Sequence, residues 1–187
     1  TDQEVLGSTP SRRTKKRKNE NIFTKVCNLF LLFSIDIINY NYNINLMTKD
    51  FEQLSTKSGY MKHNGGLLFR EISKDEYEFI AKIDRNHLNM AGITHGGYIA
   101  SIIDAGAGTG AHKSTGGKPC VTISLDIKFI APTVLGDEII GFTKIQKITN
   151  SMVFLICHLE CKGKLIATAT GIWKILKKPL PNAGFGG

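Results

Sequence analysis

The residues of this chain whose types and spacing could do chemistry lie between positions 89 and 104. They are Asn89-Met-Ala-Gly92-Ile-Thr-His95-Gly96-Gly97, then a single carboxylate, Asp104, in the otherwise uncharged run from Tyr98 to Ala111. A His-Gly-Gly step ahead of an apolar run reads as a loop turning into a helix, because glycine permits close backbone approach and first-turn amides have no intrahelical acceptor. Amides so placed can hold a developing oxyanion. From Gly97 to Ala111 there is no strand alternation and no proline, and the small residues suit a helix held close to a sheet. A lone carboxylate in such a helix is expected to be partly buried, which is unfavourable unless it has partners or a task. Asp104 lies too deep for an N-cap and has no basic residue three or four positions away. A carboxylate combined with an oxyanion-binding turn is equipment for attack on a carbonyl.

Spacing then constrains the assembly. If His95 opens the helix and Asp104 lies on it, nine residues at 1.5 Å rise put them about 13 Å apart. One chain cannot easily bring both to one carbonyl. If they share a site, the aspartate comes from a second protomer whose helix runs antiparallel, which predicts a two-fold dimer with two equivalent interface sites.

The motif Asn89-x-x-Gly92-x-x-His95-Gly96-Gly97 with Asp104, followed by Val121-Thr-Ile-Ser-Leu-Asp-Ile-Lys-Phe-Ile-Ala-Pro132 and Gly136-Asp137, resembles the hotdog-fold acyl-CoA thioesterases of the PaaI and thioesterase superfamily member 2 type. The resemblance covers roughly residues 50 to 176. It implies an α+β hotdog fold, an antiparallel β-sheet wrapped around one long central helix, and hydrolysis of an acyl-CoA to free acid and coenzyme A. In such enzymes the carboxylate at the position of Asp104 acts as nucleophile or general base. The Gly96 amide polarises the thioester carbonyl, Asn89 holds water or the thioester, and His95 orients the loop. A strand hydroxyl assisting the carboxylate falls on Thr122, with Ser124 as the alternative. Gly97, Lys113 and Lys118 are further candidates for substrate contact, the lysines from charge alone. The resemblance also implies a homodimer or a dimer of dimers, and no metal or redox cofactor; coenzyme A enters as part of the substrate.

At 187 residues and 42% hydrophobic content, the chain can bury one good core. Its net charge of +8 is partly carried by the front end, since residues 1 to 46 hold seven Lys/Arg against four Asp/Glu. A mildly basic remainder suits a phosphorylated ligand, but surface lysines explain it equally well. Cys27, Cys120, Cys157 and Cys161 lack metal-ligand spacing and the density of a secreted scaffold, so a reducing, cytoplasmic setting is expected. In Val153-Phe-Leu-Ile-Cys-His-Leu-Glu-Cys161 the odd positions are all apolar or cysteine, which reads as a strand with core cysteines.

Residues 1 to 46 differ from the rest. They carry the basic run Ser11 to Lys18 and an Asn/Ile/Phe/Tyr-rich stretch, read here as a non-native or disordered extension before Met47. A transit sequence is the competing reading and would imply mitochondria. The apolar run meets Asp36 too early to span a bilayer, and no nucleic-acid-reading module follows the basic run. The domain is therefore placed at 47–176, with a tail at 177–187.

Within the domain, Thr48 to Ser55 reads as a short capped helix with Phe51 and Leu54 on one face. Strands are expected at 67–72, 77–83, 120–130, 138–148, 152–162 and 164–175, with a tight hairpin at Lys162-Gly163-Lys164. In 120–130 the pattern sets Val121, Ile123, Leu125, Ile127 and Phe129 on an apolar face against Thr122, Ser124, Asp126 and Lys128. His87 reads as loop structure or support for the site. Gly106, Gly108 and Gly110 read as helix packing, since they lie outside any strand-to-helix turn. Two rival functions are weaker. An enoyl-thioester hydratase calls for an aspartate shortly before a histidine in a loop, the reverse of the order here. A non-catalytic acyl-CoA sensor calls for a DNA-reading unit in residues 1 to 46, where none is legible.

Overall fold

The computed structural model describes residues 50–178. The N-terminal extension and most of the tail lie outside it. Its elements are β1 (Glu52–Leu54), α1 (Tyr60–His63), β2 (Leu67–Ser73), β3 (Glu76–Lys82), α2 (Gly96–Ser114), β4 (Cys120–Phe129), β5 (Glu138–Ile148), β6 (Met152–Cys161) and β7 (Lys164–Ile175). All strands join one antiparallel sheet in the order β1-β2-β3-β5-β6-β7-β4. The chain thus leaves β3, forms α2, lays β4 along the far edge, and returns to pair β5 with β3. The β6–β7 turn is the expected hairpin, with Lys162 and Gly163 both at positive φ, 52° and 71°.

α2 lies on one face of this sheet because its apolar residues recur at helical spacing. Ile99, Ile102, Ile103, Ala107 and Ala111 are buried against Tyr77, Phe79, Val153, Leu155 and Trp173. Small residues on α2 set the distance. A Cβ at Gly106 would run into the Phe79 ring, and one at Gly110 would come within 2.9 Å of Tyr77. On β6, Val153, Leu155, Cys157, Leu159 and Cys161 are buried in strict alternation. Burial pushes the Cys157 thiol up to about 12, as befits a core cysteine rather than a reactive one. No described helix is long and apolar enough to cross a membrane.

Two expectations are corrected. The segment read as a helix at 48–55 contains instead the strand β1, paired to β2 through Glu52↔Phe69 and Leu54↔Leu67. So short a run gains little as an isolated helix, but ladder bonds at the open edge of β2 stabilise it as a strand. Phe51 lies beneath the Arg70 guanidinium, 4.5 Å from ring centroid to Cζ, and Ser55 at φ 61° ends the run. The second correction concerns β4, whose alternation does not run unbroken. Thr122 pairs with Trp173 and Ser124 with Ile172, which leaves Ile123 as a bulge. Two residues pass where the partner strand advances one, so Thr122 shares the helix-facing side with Leu125 and Ile127.

Candidate active site

The loop before α2 is built by capping. The Asp84 side chain accepts from the Arg85 amide at 2.7 Å, and the Asp84 amide donates to His87 Nδ1 at 2.9 Å, closing a 3-10 turn at Arg85–His87. His87 is buried and its ring stacks on Tyr98 at 3.7 Å between centroids. Desolvation holds its pKa below the ordinary histidine value, so it stays neutral. Its carbonyl accepts the His95 N–H at 2.7 Å. His87 therefore belongs to the loop structure.

Asn89 Oδ1 accepts from the amides of Ala91 (2.9 Å) and Ile93 (3.4 Å), which leaves the Nδ2 protons free to donate. His95 is the N-cap of α2, and its Nδ1 accepts the Gly97 N–H at 2.8 Å. That bond places the ring proton on Nε2 and commits the Gly97 amide. The Gly96 amide, one residue earlier, has no acceptor within the helix. A cleft of about 370 Å³ opens beside it, lined by Asn89, Gly96, Ile99, Phe129, Pro132 and Ile166. A methyl added at Gly96 would meet the Phe129 ring at 3.5 Å, an ordinary van der Waals contact, which places that ring directly beside the amide.

Asp104 stands elsewhere. It lies on the open face of α2 and is exposed, against the expectation of partial burial, because the sheet covers only the opposite face. Thr122 Oγ1 donates to Asp104 Oδ1 at 2.6 Å. The β4 bulge makes this bond possible, since unbroken alternation would aim Thr122 at the outer face. Ser124, beyond the bulge, is exposed on that outer side. The structure therefore joins Thr122 and not Ser124 to the carboxylate. Asp104 does not line the cleft of Asn89 and Gly96. Eight helical residues from Gly96 correspond to about 12 Å.

The two lysines lie farther off. Lys113 pairs with Glu52 at 2.8 Å in the last turn of α2, about 25 Å along the helix from Gly96. Lys118 is exposed, and its carbonyl faces His112 Nδ1 at 2.8 Å. Neither approaches the cleft within the chain. No group of three or more metal-ligating side chains forms among the described residues.

A long helix against one antiparallel sheet, with an amide-bearing turn at its start and a carboxylate on its open face, is a hotdog-fold arrangement. Residues 91–167 match the thioesterase superfamily. The chain is 26% identical to a Pseudomonas aeruginosa protein that carries an esterase name, over 67% of this chain and 94% of that one. It is 31% identical to mouse acyl-coenzyme A thioesterase 13 over 46% of this chain, spanning 63% of the mouse protein. Zebrafish thioesterase superfamily member 2 superposes with TM-score 0.60 at 21% identity, over 65% and 89% of the two chains. A Streptococcus mutans protein crystallised with acetyl CoA superposes with TM-score 0.58 at 19% identity, over 67% and 97%. The chain has the hotdog fold of these structures, and within it residues 91–167 carry the sequence pattern of the thioesterase superfamily.

Proposed function

We propose that the chain hydrolyses acyl-CoA thioesters as a homodimer. Each site takes the Gly96 amide and Asn89 from one protomer and Asp104 with Thr122 from the other. The hydrogen bond from Thr122 to Asp104 carries this reading, because a strand bulge spent on orienting one carboxylate has no packing benefit of its own. The separation of that pair from the cleft of Asn89 and Gly96 supports two half-sites. β4 supports it too: it is a ten-residue edge strand with Ile123 and Phe129 exposed and Ile130 exposed just beyond it, which calls for a covering partner. Pairing β4 with its two-fold copy would set the two α2 helices antiparallel.

In this mechanism the thioester carbonyl oxygen accepts the Gly96 N–H, and Asn89 Nδ2 donates to the carbonyl or to water. Thr122 fixes one oxygen of Asp104, leaving the other to act. As a base, that oxygen takes a proton from water, whose oxygen bonds to the carbonyl carbon; the C–S bond then breaks and coenzyme A leaves as a thiolate that is reprotonated. As a nucleophile, it bonds to the carbonyl carbon, the C–S bond breaks to release coenzyme A as a thiolate that is reprotonated, and water then opens the mixed anhydride to the free acid and the Asp104 carboxylate. No metal or redox group is required, and coenzyme A is only part of the substrate. The free thiols of Cys120, Cys157 and Cys161 suit a cytoplasmic setting. Dimers of dimers fit the same family type.

A panel of acyl-CoA substrates assayed for free thiol release tests the reading. Wild-type protein should turn over at least one of them, and Asp104→Asn should lower kcat by roughly a hundredfold or more with an unchanged Tm. Turnover in the variant close to wild type would remove Asp104 from the chemistry.

A further inference from the structure

A Gly96 donor is useful only if the first turn of α2 is held still, and one side chain outside the motif is fastened to that turn. Tyr60, the first residue of α1, is 63% exposed, and its hydroxyl lies 3.1 Å from Ser101 Oγ. Ser101 has a single hydroxyl proton and donates it to the Gly97 carbonyl at 2.7 Å. The Tyr60 hydroxyl must therefore be the donor to Ser101. Gly97 in turn gives its N–H to His95 Nδ1. Hydrogen bonds thus tie Tyr60 through Ser101 to the Gly97 carbonyl, and the Gly97 amide to His95, on both sides of the turn that contains Gly96.

α1 buries none of its residues fully: Met61 packs in part against the core, while Tyr60 stays exposed and is placed by its hydrogen bond. A second tie reaches the same turn: the Tyr98 hydroxyl donates to the Asn64 carbonyl at 3.4 Å, and Asn64 Nδ2 donates back to the Tyr60 carbonyl at 2.9 Å. Gly66 fixes where the segment leaves, since a Cβ there would fall 2.9 Å from the Leu54 carbonyl.

We infer that Tyr60 is a positioning residue, holding the amide-bearing turn of α2 through Ser101. The inference rests on the reading of Gly96 as the thioester's hydrogen-bond donor. Tyr60→Phe keeps the ring and removes only the hydroxyl. In the full chain it should lower kcat for an acyl-CoA about three- to tenfold, the scale of one hydrogen bond, and leave KM and Tm near wild type. Ser101→Ala should do the same, and the double variant should be no slower than either single one. Native-state amide hydrogen exchange supplies a readout independent of turnover: the Gly97 and Tyr98 amides should exchange faster in both variants. Wild-type kcat in Tyr60→Phe, losses that multiply in the double variant, or unchanged exchange would overturn the inference. A wild-type protein that hydrolyses no acyl-CoA would instead defeat the function proposed above, and the exchange data would still decide the role of Tyr60.

Discussion

β4 and β6 are both ten residues long, and both read from sequence as alternating strands, yet only β6 keeps the alternation. β6 lies between β5 and β7, and every second side chain enters the core. β4 lies at the sheet edge, shifts register at Ile123, and turns a threonine toward a carboxylate on α2. The central strand is shaped by packing. The edge strand is shaped by something packing does not require, and the proposed chemistry supplies a reason for it.

That contrast can be broken from either side. Leu159→Ala on β6 should lower stability by about 2–5 kcal/mol, the range for removing a fully buried leucine, while kcat per folded molecule stays near wild type. Urea denaturation together with thiol release at low temperature would check both halves. A large fall in kcat at undiminished stability would place β6 in the site.

On β4 the expected effects are smaller and reversed in kind. Thr122→Val keeps the shape but removes the hydroxyl, and should lower kcat about tenfold with little change in Tm. Ser124→Ala should change neither. Loss of activity in the Ser124 variant, with Thr122→Val intact, would show that the bulge serves something other than Asp104.

The same contrast explains what was legible in the sequence. The strands from Glu138 to Ile175 and the helix from Gly96 could be read because their burial follows a single period, and burial is what periodicity encodes. The motif from Asn89 to Gly97 was legible as a loop-to-helix turn because its glycines and cap leave a local signature. Chemical type alone could not choose between Thr122 and Ser124, because the choice depends on a bulge set by pairing with β7, a contact some fifty residues away in sequence. β1 was misread for a related reason: its strand state comes from β2, not from its own residues. The exposure of Asp104 also depends on which face of α2 the sheet covers. Tyr60 lacked any signal, since its partner Ser101 lies 41 residues later.

The central claim is that cleft and carboxylate meet across two protomers, and complementation tests it most directly. Asp104→Asn and Asn89→Ala proteins, each nearly inactive alone, would be unfolded together and reassembled as a mixture. In a heterodimer both lesions fall in one site, and the other site is fully wild type. Random pairing makes about half the dimers mixed, each with one intact site of two, so about a quarter of wild-type activity should return. If mass spectrometry shows that protomers have exchanged and thiol release stays at the level of the single variants, the site is not shared between protomers and the account is wrong.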